Sequence, residues 1–159
     1  MKIKILFSDV DGTLTDGKLY FGEYGEAMKV FSVKDGYGLK RLMRDTGAFP
    51  VILTGRESKF VEVRCKELGI GNYHQLVHDK ISIIKTYERK YQDCSFAYIG
   101  DDDNDLDAMK YIKEKDGIIA CPCDASIKVF EIANYVCKHS GGDGAVREFI
   151  DYLFDNELI

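Results

Sequence analysis

No stretch of this 159-residue sequence is apolar for long enough to cross a bilayer, which sets aside a membrane-spanning protein. The amino terminus, Met1-Lys2-Ile3-Lys4, reads as a lysine-bearing strand without a signal-peptide pattern, so a cytoplasmic protein with no membrane role is expected. Positive charge is also short. With 22 Lys and Arg against 27 Asp and Glu, the net charge is -5 and the basic residues are scattered. That excludes a nucleic-acid groove but allows a local cationic pocket for an anionic substrate. A disulfide framework is missing as well, because the cysteines, Cys65, Cys94, Cys121, Cys123 and Cys137, are odd in number and irregularly spaced. Cys121-Pro122-Cys123 is a close pair without a second cluster, a poor zinc site, and reduced thiols are expected. His74, His78 and His139 have no metal-ligand spacing and read as surface or loop residues. Repeats, low-complexity tracts and linkers are absent. At 45% hydrophobic content, residues 1–159 read as one domain able to bury a core.

What the chain does contain is an alternation of short apolar runs with helical patterns. The runs are Ile3 to Ser8, Phe49 to Leu53, Ser95 to Ile99 and Gly117 to Ala120, with a short one at Tyr135-Val136. Between them, Gly38 to Asp45, Ser58 to Leu68, Lys80 to Lys90, Asn104 to Lys113 and Ala145 to Phe154 place apolar residues at helical spacing. This predicts an α/β fold, a Rossmann-like doubly wound parallel sheet with helices on both faces. One segment breaks the alternation. Residues 18–33 hold two aromatic and β-branched runs around a glycine-containing turn, which reads as a β-hairpin inserted after the first strand. A lone hairpin is marginal in water, and Leu19, Tyr20, Phe21, Met28, Val30 and Phe31 call for a partner, either the hairpin's own domain or, the reading preferred here, a neighbouring subunit.

The first strand delivers Asp9 and Asp11, one residue apart, into the turn Gly12-Thr13 at its carboxyl end, where open α/β sheets keep their active sites. Carboxylates this close repel one another unless a cation joins them, which points to a hard divalent metal, Mg2+. Three more motifs fall at the same sheet edge. Thr54-Gly55-Arg56 offers a hydroxyl, a close-approach glycine and a guanidinium suited to anionic oxygens. Lys80 opens a helix after His78-Asp79, and Gly100-Asp101-Asp102-Asp103-Asn104-Asp105 is an acidic loop able to complete a metal site. Each motif alone could be a cap or a turn; four complementary sets on one edge are not expected by chance.

This order resembles the haloacid dehalogenase-like phosphohydrolase superfamily, whose Asp-x-Asp-Gly-Thr signature is Asp9 to Thr13 here. The resemblance implies that Asp9 is a nucleophile forming an aspartyl-phosphate and Asp11 an acid and base that protonates the leaving alcohol and then activates water. It further implies Mg2+ held by Asp9, Asp101 and the Asp11 backbone carbonyl, and transferring oxygens held by Thr54 and Lys80. Asn104 is expected at the substrate, with Asp102 and Asp105 orienting the site. The intervals between motifs leave no space for a cap domain, so the pocket is expected to be open, covered by a neighbour's hairpin.

Val33-Lys34-Asp35-Gly36-Tyr37-Gly38, Thr54-Gly55-Arg56-Glu57-Ser58-Lys59 running on to Leu68-Gly69-Ile70, and Gly141-Gly142-Asp143-Gly144-Ala145-Val146-Arg147-Glu148 resemble one capless family, the 3-deoxy-D-manno-octulosonate 8-phosphate phosphatases. That resemblance implies a homotetramer built on the hairpins, an acidic eight-carbon sugar phosphate as substrate, and a place in lipopolysaccharide biosynthesis. Gly55 and Arg56 are then expected at the sugar, Arg56 gripping its carboxylate by two points, with Arg64 assisting or lying on the helix surface. Two alternatives stand beside this reading: a phosphatase of a nine-carbon, sialic-type keto-sugar 9-phosphate, and a non-catalytic oligomerising module related to those of sugar cytidylyltransferases. The family often carries a longer carboxyl-terminal tail than the segment ending here at Ile159, so tail-assisted product release is not expected.

Overall fold

The computed structural model describes residues 1–159. Its centre is a six-stranded parallel sheet in the order β5-β4-β1-β6-β7-β8. The strands are β1 (Ile3–Ser8), β4 (Phe49–Leu53), β5 (Tyr73–His74), β6 (Ser95–Ile99), β7 (Ile118–Cys121) and β8 (Tyr135–Val136). Side chains of β1 alternate between two cores, Leu6 on one face and Ile5 with Phe7 on the other, and all three are fully buried. This is why the strand is a continuous apolar run and not an alternating one.

Each core has its own helices. On one face lie α1 (Val33–Thr46), α2 (Lys59–Leu68) and α6 (Ala145–Asp155), through Leu39 and Leu42, Val61 and Cys65, and Val146, Phe149, Ile150 and Leu153. On the other lie α3 (Lys80–Lys90), α4 (Leu106–Glu114) and α5 (Ile127–Ile132), through Ile84, Met109 with Ile112, and Val129. Burying a side chain of this size contributes about 1.5–3 kcal/mol. The chain winds outward from β1 to β4 and β5, then returns to β6 on the other side of β1. The winding therefore reverses beside β1, and the carboxyl ends of β1, β4 and β6 open into one crevice, the ligand position of doubly wound sheets.

Helix boundaries follow local chemistry. The Ser32 hydroxyl accepts hydrogen bonds from the Lys34 and Asp35 amides and starts α1 at Val33, five residues before the expected Gly38. Two early glycines hide this turn in the sequence, and both lie against neighbouring arginine side chains. A Cβ on Gly36 would lie 2.4 Å from Arg64 Nη2, and one on Gly38 would lie 2.9 Å from Arg147 Cδ. The expected hairpin likewise ends before Ser32; its strands are β2 (Tyr20–Gly22) and β3 (Gly25–Met28), paired antiparallel apart from the main sheet. Gly47, in left-handed conformation at φ 71°, closes α1. Three short elements escape sequence periodicity: β5, α5 and a 3-10 turn at Asp103–Asp105 ahead of α4. His74 lies in β5 with its ring edge-on to Tyr87, so it is half-buried and not a loop residue.

No cap domain interrupts the sheet. Only the hairpin and α1 separate β1 from β4, and only α2, β5 and α3 separate β4 from β6. The core account predicts that Phe149→Ala lowers the unfolding free energy by about 3–5 kcal/mol. Lys110→Ala, at an exposed position of α4, should change it by less than about 0.5 kcal/mol; urea denaturation read by circular dichroism measures both.

Candidate active site

The sheet itself sets Asp9 and Asp101 side by side. The Asp9 amide donates to Ile99 O at 3.1 Å, continuing the β1–β6 pairing one residue beyond the strand, and Gly100-Asp101 follow directly. The turn after β1 closes tightly because the Thr13, Leu14 and Thr15 amides all donate to Val10 O. Gly12, at φ 89°, passes so near Asp101 that a Cβ there would lie 2.0 Å from Asp101 Oδ2. The buried Thr13 hydroxyl donates to Asp101 Oδ1 at 3.1 Å and fixes that carboxylate against the turn.

Lys80 is the first residue of α3, after Asp79, whose side chain accepts from the Ser82 amide and caps the helix. Its ammonium is buried and donates to Asp9 Oδ1 at 3.0 Å and to Asp105 Oδ1 at 2.6 Å. Asp105 Oδ1 also accepts from the Tyr98 hydroxyl at 2.6 Å, while Oδ2 accepts from the Asp101 and Asp102 amides at 3.0 and 3.3 Å. The Asp102 side chain accepts from the Asp103 amide at 2.7 Å, and Asp102 and Asp105 also form a reciprocal capping box that shapes the acidic loop. Asp105 orients Lys80 and the loop; both its oxygens are occupied by protein donors.

Charge does not balance here. Carboxylate oxygens of Asp9, Asp101 and Asp105 can be chosen all within 4.8 Å of one another, with Lys80 as the ammonium bonded among them. Burial and the neighbouring Asp105 push the Asp9 pKa well up, with Lys80 opposing. Burial and Asp105 likewise raise Asp101 to about 7. Burial works against the Lys80 charge, but Asp9 and Asp105 outweigh it and leave its pKa above the ordinary lysine value. The donor set fits a hard divalent cation: Asp9 has an oxygen not taken by Lys80, Asp101 is held at the turn, and the Asp11 carbonyl accepts no protein hydrogen bond.

Beside this cluster lies an open cleft of about 310 Å³ with no hydrophobic residue in its lining. Asp9, Asp11, Thr54, Gly55, Arg56, Asp101, Asp102 and Asn104 all face it. Thr54 is buried at the end of β4, and its hydroxyl accepts from the Arg56 amide. At Gly55 a Cβ would meet only Val77 O, at 3.6 Å, so the protein itself does not require a glycine there.

Of the expected site residues that do not line the cleft, Lys80 and Asp105 bond to each other, and Lys80 to Asp9, beside it, whereas Arg64 points elsewhere. Its position on α2 turns it toward the start of α1, where Nη2 donates to Ser32 O at 3.1 Å, Nη1 donates to Glu67 at 2.9 Å, and the guanidinium lies over the Phe31 ring. Four residues that sequence reasoning left without a role are part of the site: Thr13 and Tyr98 as described, and Glu26 and Lys29 from the hairpin. Lys29 Nζ donates to Asp11 Oδ1 at 2.5 Å and to Glu26 Oε1 at 2.9 Å. A charged residue between Met28 and Val30 in an apolar hairpin was the available signal. The tyrosine among the apolar residues of β6 was the other. Cys121 is buried in β7, whereas Cys123 is exposed and near the Ser140 hydroxyl, so this pair takes no part.

Paired aspartates after β1, a hydroxyl after β4, a lysine opening α3 and carboxylates after β6 define a capless haloacid dehalogenase-like site. No family model matches the chain. Curated relatives do: the 3-deoxy-D-manno-octulosonate 8-phosphate phosphatase of Escherichia coli (strain K12) is 39% identical over 153 residues, covering 95% of this chain and 79% of the relative. Among solved structures, the cobalt-bound form of the deoxy-D-mannose-octulosonate 8-phosphate phosphatase of Haemophilus influenzae matches with a TM-score of 0.88 and 35% identity, over 97% of this chain and 88% of that one. The Moraxella catarrhalis 3-deoxy-D-manno-octulosonate 8-phosphate phosphatase, in complex with magnesium ion, phosphate ion and KDO, matches with a TM-score of 0.88 and 34% identity, over 96% and 86%. The chain belongs to the 3-deoxy-D-manno-octulosonate 8-phosphate phosphatase family.

The crowding of carboxylates has a measurable consequence. Because the metal-free Asp101 pKa, about 7, lies above the unfolded value near 3.8, the metal-free fold holds a proton that the unfolded chain has lost between those values. Stability of the metal-free protein should therefore fall as pH rises from about 4 to about 7, and magnesium should restore it. Calorimetric titration of magnesium in buffers of different ionisation heat should detect proton release, with affinity weakening below pH 7.

Proposed function

We propose that this protein hydrolyses 3-deoxy-D-manno-octulosonate 8-phosphate to the free sugar acid and phosphate, with Mg2+ as cofactor. The observation that carries the reading is the wholly polar cleft lined by Asp9, Asp101 and Arg56 together, with Lys80 bonded to Asp9. Lys80 occupies one oxygen of Asp9, leaving the other for attack on phosphorus. Asp11 protonates the departing sugar oxygen and then takes a proton from the water that cleaves the aspartyl-phosphate. Thr54 and Lys80 hold the transferring oxygens, and Asn104 lines the cleft. Asp9, Asp101 and the Asp11 carbonyl would hold magnesium, whose charge, when bound, offsets repulsion between anionic nucleophile and anionic ester. Arg56, with its side chain 45% exposed, reads the sugar carboxylate; in the free protein the Glu26 carboxylate lies 3.7 Å from its Nη2.

The assembly belongs to the same reading. Phe21, Tyr24 and Met28 leave the hairpin 65%, 96% and 51% exposed, an apolar surface that supports a homotetramer joined through the hairpins. A cytoplasmic location is supported by five unpaired cysteines, and no helix is long and apolar enough to cross a membrane.

Phosphate release should be at least about tenfold faster, by kcat/KM, from the eight-carbon than from a nine-carbon keto-sugar phosphate. The reverse preference would reassign the substrate, and release from no sugar phosphate by a tetrameric protein would favour the inert module. Arg56→Ala should lower kcat/KM for the acidic sugar by about 100-fold and for p-nitrophenyl phosphate by only a few-fold. Equal losses would assign Arg56 to the phosphate instead.

A further inference from the structure

Four charged side chains close a ring at the rim of the cleft. Lys29 Nζ lies 2.5 Å from Asp11 Oδ1 and 2.9 Å from Glu26 Oε1. Arg56 Nη2 lies 3.7 Å from Glu26 Oε2, and Arg56 Nε lies 3.9 Å from Asp11 Oδ2. Carboxyl and cationic groups alternate around it. Lys29 is the best shielded of the four, its side chain 2% exposed against 14% for Glu26 and 24% for Asp11. β3 ends at Met28, so Lys29 leaves the strand toward the cleft while Met28 and Val30 stay half exposed. Fixing a hairpin to a domain does not require this; an apolar contact would do so without desolvating a lysine and two carboxylates. The ring ends instead on the two residues that the phosphatase reading uses for proton transfer and carboxylate recognition.

We propose that Lys29, braced by Glu26, is a positioning residue for Asp11, holding one carboxylate oxygen so that the other is presented to the leaving oxygen of the substrate. This rests on the phosphatase reading. In the first step the Asp9–phosphorus bond forms and the bond from phosphorus to the sugar oxygen breaks. The proton that Asp11 keeps from the water of the preceding turnover passes to that oxygen. The Asp11 carboxylate so formed stays paired with the Lys29 ammonium until water attacks phosphorus, the Asp9–phosphorus bond breaks to release phosphate, and Asp11 takes the water's proton. The hairpin thereby becomes part of its own protomer's catalytic geometry, in addition to any contact it makes with another subunit.

Leaving-group dependence tests this, because a misplaced acid harms departure of a basic leaving group and hardly affects an activated one. Phenyl phosphate and p-nitrophenyl phosphate are similar in shape, lack a carboxylate, and differ in the basicity of the departing oxygen. With magnesium present, Lys29→Met should lower kcat/KM for phenyl phosphate by on the order of 100-fold and for p-nitrophenyl phosphate by less than about fivefold. Lys29→Arg should recover a large part of the loss. If Lys29→Met does not fold, judged by circular dichroism, Glu26→Gln should show the same selective loss at smaller size. Equal losses on the two esters, or none, with active wild-type enzyme would overturn this inference alone. Wild-type protein that releases phosphate from no ester would overturn the phosphatase reading beneath it.

Discussion

The ammonium of Lys80, shared between Asp9 and Asp105 in the interior, is the interaction on which the rest of the site depends. An isolated carboxylate this deeply buried would take up a proton, and a proton on Asp9 would disable it as the proposed nucleophile. Lys80 opposes that, but one ammonium does not neutralise Asp9, Asp105 and Asp101 together, and Asp101 remains raised to about 7. The remaining charge deficit makes the pocket a place for a divalent cation without demanding a dedicated cage. Asp105 shows how the fold limits the demand: with both oxygens bound to Lys80, Tyr98 and two backbone amides, it stabilises the arrangement and leaves Asp9 and Asp101 free to coordinate.

Backbone geometry makes this crowding possible. Because β1 lies between β4 and β6, the turns that follow the three strands converge, and the Asp9 amide is tied directly to Ile99. Gly12 is indispensable there, since any side chain would displace the Asp101 carboxylate. Gly141 makes the matching approach from the carboxyl-terminal part, where a Cβ would lie 1.8 Å from Gly12 O, so the glycine-rich segment before α6 buttresses the catalytic turn from behind. Without a cap domain, these turns and the rim are what this chain presents to its small substrate, which gives the hairpin residues Glu26 and Lys29 their importance.

Much of this was legible in the sequence, for physical reasons that differ by element. β1, β4 and β6 are buried on both faces and appear as unbroken apolar runs, and the long helices α3 and α6 show their stripes. Asp9, Asp11, Thr54, Lys80 and Asp101 fall at motif spacings set by those strands, and all but Lys80 line the cleft while Lys80 bonds to Asp9. The first turn of α1 was not legible, because Gly36 and Gly38 answer to the neighbouring Arg64 and Arg147 and not to helix propensity. Arg64, readable from the sequence as assisting at the sugar or as lying on the helix surface, takes its direction from how α2 packs on α1, which local spacing does not encode. The hairpin was read from its apolar residues as a surface, and the inward turn of Lys29 is a tertiary event with no period to announce it.

Asp9 is expected to carry the phosphoryl group between two half-reactions. Rapid-quench mixing of the magnesium-loaded enzyme with the eight-carbon sugar phosphate, followed by acid trapping and peptide mass spectrometry, tests it most directly. The account predicts a transient phosphoryl adduct on the peptide containing Asp9, formed and lost at the turnover rate and absent in Asp9→Asn. Phosphate release that proceeds with no adduct in a single turnover, or with the adduct on another residue, would contradict it.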